Sequence, residues 1–314
     1  MHYSKGRFSM SDASLLLAVM IWGLNFPVLK ATLSVMHPYV INTFRFSIST
    51  LVLGLIYAAR LRKSGEPFWK PVRTHGLKLA FLGLTGTVFY QVLFIIGVNA
   101  TAAGTAALIM ASAPIWTAVF GVIFGTERLT PAAWAALGIS LFGTAVVVAG
   151  GSSTISLAPG TLFGNLMMVA AALFWGLYTA LNRPVVQQLD PVGVSFFNLL
   201  VGLPVLIVIG LPYFDTVVWA DVDAWVWAAI LYSGGLSTGL AIVIWNAAIR
   251  AVGSSYTAAF NNLVPFAALM MSYLILAEPV TWLQISGGAF IIGGLMFMRR
   301  TREPVAAAER RISG

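Results

Sequence analysis

The chain has 314 residues, of which 59% are hydrophobic and only 9% are charged. Soluble domains carry about 25% charged residues, so the composition excludes a water-facing surface and favours one that faces lipid. Cysteine is absent, which excludes disulfides, thiolate metal sites and cysteine nucleophiles.

Ten apolar segments follow one another along the chain, each long enough to cross about 30 Å of hydrocarbon as a helix. They cover residues 13–34, 38–60, 77–99, 102–125, 131–150, 161–183, 192–212, 225–249, 254–277 and 280–298. The stretch 151–160 is rich in Gly, Ser and Pro and is the predicted linker between two halves, 13–150 and 161–298. The predicted fold class is all-α integral membrane with ten transmembrane helices.

The placement of Lys and Arg predicts the orientation. The net charge is +8, and with the N-terminus in the cytoplasm all but two of the 18 Lys and Arg residues fall on the cytoplasmic side. Residues 1–12 and 299–314 are therefore predicted to be cytoplasmic tails. The basic residues then form a contact surface for anionic membrane lipid, which argues against nucleic acid as a partner.

A phrase of three residues, "WGL", occurs at 22–24 and again 153 residues later at 175–177. Further matches at offsets of 153 and 151 are Pro38 with Pro191, Phe44 with Phe197, Pro114 with Pro265, Glu127 with Glu278, Thr130 with Thr281 and Gly143 with Gly294. Each half then has five helices, an odd number, so the second half enters the membrane from the opposite side.

The charges of matching loops agree with this inversion. The loop after the second helix holds six basic residues, and its counterpart after the seventh holds Asp215, Asp221 and Asp223. The chain is therefore predicted to consist of two inverted five-helix repeats with both termini cytoplasmic. Inverted repeats are typical of carriers that work by alternating access around a site near the midplane of the bilayer.

Two such repeats, each opening with a "WG" helix and carrying a proline in its fourth helix before "GTERLTP" or "LAEPVTW", resemble the EamA family of the drug/metabolite transporter superfamily. The resemblance covers about 13–298. Size and aromatic-rich interior are similar to those of the bacterial amino-acid exporters of the YddG type. The resemblance implies export of small metabolites by a multi-pass protein of the bacterial inner membrane, with helices 1, 3, 4, 6, 8 and 9 around a central cavity.

Residues for an embedded enzyme are not found in the sequence. The three histidines, His2, His37 and His75, fall in a tail or in loops, and no metal, cofactor or catalytic residue is predicted. All ten Asp and Glu residues fall at helix ends, loops or tails. Proton-coupled carriers usually keep a carboxylate inside the membrane, so we expect facilitated transport or exchange without one.

Aromatic and amide side chains at membrane depth are the candidate substrate-binding residues, because they suit a neutral or zwitterionic solute with an apolar body. They are Trp22, Asn25, Tyr90, Gln91, Trp175, Tyr178, Asn182, Trp245, Asn246, Asn261 and Asn262. The alternative is that they only join helices: the glycine that follows Trp22 and Trp175 admits a neighbouring helix, and asparagines bond across helices.

Arg45 is the one charge well inside a span, seven residues into the second helix. It is either an anchor for a substrate carboxylate near the outer mouth, or a guanidinium that reaches lipid headgroups or backbone carbonyls. Pro27, Pro114 and Pro265 are predicted helix bends. Pro114 and Pro265 are expected in mid-helix, where they free a carbonyl four residues back and so face the interior.

The sequence thus predicts export of small amphipathic metabolites, foremost amino acids with aromatic or apolar side chains. The alternative within transport is an efflux carrier for drugs or other lipophilic compounds, and a membrane-embedded enzyme is the less favoured third reading. The exact substrate, the energy source and the oligomeric state are left open.

Overall fold

The computed structural model describes residues 9–101, 103–149, 159–276 and 280–301. The regular structure of these residues is entirely helical, so the all-α prediction is confirmed for them. Residues 151–158 of the predicted linker, the outer parts of both predicted tails and Glu278 lie outside the described residues. The remaining two linker residues already belong to a helix that begins at Pro159.

Within the described ranges the chain forms fourteen α-helices, numbered here in chain order. They are α1 (Met10–Thr32), α2 (Pro38–Ser64), α3 (Lys70–Gly83), α4 (Tyr90–Ala100), α5 (Ala103–Met110), α6 (Ala113–Ile123), α7 (Pro131–Ala149), α8 (Pro159–Gln188), α9 (Pro191–Gly210), α10 (Ala224–Leu231), α11 (Ala241–Val252), α12 (Ser254–Ala259), α13 (Val264–Leu276) and α14 (Trp282–Thr301).

Six helical stretches of the described chain are long and apolar enough to cross a membrane. They are Met10–Leu29, Pro38–Ser64, Lys70–Ala100, Leu162–Gln188, Pro191–Thr216 and Ala224–Val252. Two shorter apolar stretches, Leu108–Ile123 and Pro131–Val147, fall where the fourth and fifth spans are expected. A membrane protein is therefore supported by length and composition, and the number of ten spans stays a prediction.

The third and eighth predicted spans each contain a π-helical segment that the sequence did not predict. The first, Leu84–Phe89, joins α3 to α4, and the second, Tyr232–Leu240, joins α10 to α11. A π-helix has wider turns than an α-helix and occurs frequently at functional sites. Tyr90 and Gln91 directly follow the first segment, and Ser237 and Thr238 lie within the second.

The fourth and ninth predicted spans are interrupted just before their prolines. Helix α5 ends at Met110 and α6 starts at Ala113, while a 3₁₀ turn at Phe260–Leu263 precedes α13. Each proline thus lies in the first turn of a new helix, where its missing N–H has no partner to lose. The expectation that Pro114 and Pro265 sit in mid-helix is wrong, whereas Pro27 does lie inside α1.

Helices of the two halves pack on one another in matching pairs. Helix α1 packs against α11 and α13, and α8 packs against α4 and α6. In the same way α2 packs against the Tyr232–Leu240 segment and α9 against the Leu84–Phe89 segment, while α2 contacts α9 and α7 contacts α14. Exchanging the first half for the second leaves this set of contacts unchanged.

The glycine of each "WG" phrase allows one of these close contacts. A Cβ on Gly23 would lie 2.9 Å from the Cβ of Ala267 in α13, and one on Gly176 would lie 2.6 Å from the Cβ of Trp116 in α6. Both glycines therefore bring helices together at distances that a larger residue prevents.

Candidate substrate-binding site

A cavity lies between the two halves and encloses about 680 Å³ of space not filled by protein atoms, its opening included. The residues that line it are Trp22, Asn25, Phe26, Arg45, Tyr90, Gln91, Phe94, Met110, Trp175, Ser237, Thr238, Ile242, Asn261, Val264 and Pro265. All six helices that the family resemblance placed around a cavity contribute, and α2 adds Arg45.

The structure brings seven of the twelve candidate binding residues to this cavity. They are Trp22, Asn25, Arg45, Tyr90, Gln91, Trp175 and Asn261. Tyr178, Asn182, Trp245, Asn246 and Asn262 are buried beside it rather than among its lining residues. For the seven lining residues and the five buried ones alike, a role in substrate binding stays a prediction.

Aromatic rings form one wall of the cavity, here called the aromatic wall: Trp22, Phe26, Tyr90, Phe94 and Trp175. The ring centroid of Trp175 lies 4.8 Å from that of Tyr90 and 5.9 Å from that of Trp22. The indole N–H of Trp22 donates to the carbonyl oxygen of Ser237 at 3.1 Å, which fixes the ring. Trp245 packs behind, 5.1 Å from Trp22. Rigid rings of this kind provide contact area for an apolar ligand at low entropic cost.

Arg45 reaches the same cavity from α2 and is only 2% exposed. Its Nη1 donates to Oδ1 of Asn42 at 3.0 Å and its Nη2 to Oγ1 of Thr238 at 3.2 Å, while Nε has no partner. No carboxylate of the described chain forms an ion pair with it. The guanidinium therefore does not extend to lipid headgroups, and a buried charge without a counter-ion is costly unless a ligand supplies one.

Two lining amides also have unused hydrogen-bonding groups. Gln91 and Asn261 are 8% and 9% exposed, and their side chains make no hydrogen bond within the described chain; Oε1 of Gln91 and Nδ2 of Asn261 are buried without a partner. Asn25 is partly engaged, because its Oδ1 accepts from the hydroxyl of Ser233 at 2.7 Å. Buried polar groups are normally paired, so water or a ligand is expected to complete these.

Behind Trp175, three of the predicted residues bond to one another. Nδ2 of Asn182 donates to Oδ1 of Asn246 at 2.7 Å, and the hydroxyl of Tyr178 donates to the same oxygen at 3.2 Å. Nδ2 of Asn246 donates to Oγ of Ser195 at 2.8 Å. This group, called the amide cluster, ties α8 to α9 and α11. Asn262 is separate: its Nδ2 donates to Oγ of Ser140 in α7 at 2.9 Å.

A second polar group lies at the end of the molecule that is predicted from the sequence to face the cytoplasm. The carboxylate of Glu127 pairs with Nη1 of Arg183 at 3.0 Å and accepts from the backbone N–H groups of Ser254 at 2.6 Å and Ser255 at 2.9 Å. Both serines open α12. The ion pair therefore joins the loop after α6 to α8 and α12.

Seven lining residues are not among the predicted binding or bend residues: Phe26, Phe94, Met110, Ser237, Thr238, Ile242 and Val264. Ser237 and Thr238 belong to the "YSGGLSTGL" segment, whose glycines suggest only close packing. A π-helix changes which side chains face inward, so helical periodicity cannot select them. The others are ordinary apolar residues in helices that are apolar on every side.

The EamA-like transporter family matches the chain twice, over residues 9–149 and 162–300. The chain belongs to this family. It is thus a multi-pass membrane protein of a transporter family, as the sequence resemblance predicted. The two matched segments coincide closely with the two predicted halves.

Relatives of known sequence are transporters by name. The uncharacterized transporter YyaM of Bacillus subtilis (strain 168) is 26% identical over 280 residues, covering 87% of this chain and 88% of its own. A probable terminal-alkyne amino-acid exporter of Streptantibioticus cattleyicolor is 27% identical over 291 residues, covering 91% and 92%. A solved crystal structure superposes with a TM-score of 0.74 at 19% identity, covering 98% of this chain and all of the other, which shows a shared fold.

Proposed function

We propose that the protein exports small amphipathic metabolites, foremost amino acids with aromatic or apolar side chains, across the bacterial inner membrane. The observation that carries the proposal is that Arg45, a buried guanidinium with no carboxylate partner among the described residues, lines the same cavity as the aromatic wall. An amino acid supplies what each part lacks, because its carboxylate neutralises the guanidinium and its side chain covers the rings. The name of the Streptantibioticus relative supports this substrate class.

Alternating access is the proposed mechanism. In it, the chain spans the membrane ten times as two inverted repeats, 13–150 and 161–298, joined by 151–160, with the tails 1–12 and 299–314 in the cytoplasm. The matching contacts between the halves support this, because related halves that pack with exchanged roles have two equivalent arrangements. We propose that the Glu127–Arg183 pair and α12 close the cavity at the predicted cytoplasmic end.

The proposed transport needs no carboxylate inside the membrane. None of the residues that line the cavity is Asp or Glu, and an acidic group at that depth is the usual carrier of a coupled proton. Exchange or facilitated export down the metabolite gradient fits this lining.

An efflux carrier for lipophilic drugs is the second candidate, and the aromatic wall favours it. Cationic drugs are disfavoured, since Arg45 is the only charged residue in the described lining of the cavity and it repels them. An uncharged lipophilic compound leaves the guanidinium without a counter-ion, so the amino-acid proposal accounts for more of the cavity.

Counterflow in proteoliposomes tests the proposal. Vesicles containing the purified protein are loaded with unlabelled phenylalanine, and entry of labelled phenylalanine is followed at equal pH on both sides. Accumulation that Trp175→Ala reduces and Trp282→Ala leaves intact supports an amino-acid carrier, because Trp282 is 85% exposed and does not line the cavity. If labelled phenylalanine does not accumulate and the protein transports lipophilic dyes into the vesicles instead, the result favours the drug carrier.

A further inference from the structure

The cavity holds a second group beside Arg45 that suits the other charge of an amino acid. Resting on the proposed function, we infer that Gln91 is a specificity-determining residue: its side-chain amide oxygen accepts from the substrate ammonium while Arg45 binds the carboxylate. The site then selects zwitterions over acids and amines of the same shape.

Asn42 places the two residues side by side. This buried asparagine in α2 accepts from Nη1 of Arg45 through Oδ1 at 3.0 Å, and its Nδ2 donates to the backbone carbonyl of Gln91 at 3.4 Å. Gln91 and Arg45 therefore enter the cavity on either side of a single side chain. An α-amino acid carries its carboxylate and ammonium on one carbon, so the groups that bind them have to be neighbours of this kind.

The amide of Gln91 is free for this task. Its side chain bonds to no described residue, although it is more than nine-tenths buried. Rotation of the amide about its terminal torsion turns either the oxygen or the nitrogen toward the cavity, since the two ends have the same shape. An ammonium next to the guanidinium needs an uncharged acceptor, because an acidic one would pair with Arg45 and remove the carboxylate site.

Asn261 is the competing amide. It also lines the cavity with an unpaired Nδ2, but it reaches the cavity from the turn before α13, and within the described chain no hydrogen bond connects it to Asn42 or Arg45. The location of Gln91 next to the Asn42 bridge is what favours it as the ammonium partner.

Three ligands separate the roles: phenylalanine, 3-phenylpropionate, which lacks the ammonium, and phenethylamine, which lacks the carboxylate. Their dissociation constants are measured with the purified full-length protein in detergent, by equilibrium dialysis. A hydrogen bond to a charged group changes affinity about tenfold or more. Wild type is expected to bind phenylalanine at least about tenfold more tightly than either analogue.

Gln91→Met removes the acceptor at nearly constant volume. It is expected to abolish most of the preference for phenylalanine over 3-phenylpropionate while the preference over phenethylamine remains, and Arg45→Gln is expected to do the reverse. Gln284→Met is the control for removing a buried glutamine, because Gln284 has the same exposure but caps α14 outside the cavity. Gln91→Asn, which withdraws the amide by one methylene, provides an intermediate case if Gln91→Met does not fold.

Each failure has its own signature. If wild type binds none of the three ligands, the proposed amino-acid function falls and the inference with it. If wild type binds all three alike, or if Asn261→Leu rather than Gln91→Met removes the discrimination against 3-phenylpropionate, the inference about Gln91 is overturned while transport of aromatic compounds stands.

Discussion

The carboxylate of Glu127 lies 3.0 Å from the guanidinium of Arg183, and their side chains are 7% and 17% exposed. The same carboxylate receives two backbone N–H groups at the start of α12. Gly253 precedes them with φ +88°, and a Cβ there would lie 2.8 Å from Oε1 of Glu127. A single acidic group thus holds α8, α12 and the loop after α6 together, and only glycine fits beside it.

Glu127→Gln is expected to lower the free energy of unfolding by about 2–3 kcal/mol, because removing one member of a buried pair leaves the other charge uncompensated. Thermal unfolding in detergent measures the change. Glu66→Gln is the matched control, since Glu66 pairs with Lys70 at 2.7 Å on an exposed surface, where a salt bridge contributes little. Equal effects of the two substitutions contradict a structural role for the buried pair.

The same substitution is expected to open the proposed cytoplasmic end. Since the chain has no cysteine, a Ser237→Cys variant carries one reactive thiol at the cavity. Labelling of inverted membrane vesicles with an impermeant maleimide is expected to rise in the Glu127→Gln background, about tenfold for each 1.4 kcal/mol by which the closed arrangement is weakened. Ser64→Cys, exposed at the end of α2, reports reagent access alone. Unchanged labelling of Ser237→Cys argues against closure by this pair.

Arg45→Gln is expected to separate binding from stability. The guanidinium is buried without a counter-ion in the part of the chain that the structure describes, so its removal relieves a desolvation cost in the empty protein, while a neutral amide keeps part of the hydrogen bonding. The melting temperature is expected to stay level or rise, and affinity for phenylalanine to fall at least about tenfold. Loss of stability with unchanged affinity identifies Arg45 as a structural residue instead.

The glycines of the repeated phrase give a prediction about packing. Gly176→Ala is expected to destabilise by about 1–3 kcal/mol, since the added methyl meets Cβ of Trp116 at 2.6 Å and the backbone nitrogen of Thr117 at 2.8 Å. Gly138→Ala is the control within helix α7, because no atom lies within 4 Å of the added group. It is expected to stabilise slightly through helix propensity. Chemical denaturation of both variants measures the contrast, and similar values contradict the close packing.

Several residues that line the cavity can be predicted from local sequence features, which do not depend on how the helices are arranged. A tryptophan beside a glycine predicts either a close helix contact at the glycine or a cavity-lining ring at the tryptophan. At Trp22 and Trp175 the structure has both. Arg45 stands out because a charge inside a span is expensive. Such residues can be recognised without knowledge of their neighbours.

The remaining features depend on contacts between distant segments. Trp175 and Tyr178 share one face of α8, yet only Trp175 lines the cavity, because α9 and α11 cover Tyr178. Helices that are apolar on every side provide no pattern that tells an inner face from a lipid face. The π-segments and the breaks before Pro114 and Pro265 likewise arise from packing between the halves rather than from local sequence.

Substitution in the amide cluster tests whether these residues support the cavity from behind or bind the substrate. Asn246→Ala removes the acceptor that Asn182 and Tyr178 share and the amide that donates to Ser195, so three buried polar groups each lose a hydrogen bond, which is expected to destabilise by about 2–3 kcal/mol. Selectivity among phenylalanine, 3-phenylpropionate and phenethylamine is expected to remain, since Asn246 does not line the cavity. Dissociation constants and melting temperature are measured on the same preparation, with Asn165→Ala, at the opposite end of α8, as the matched asparagine control. A change in ligand selectivity at constant stability places Asn246 among the binding residues after all.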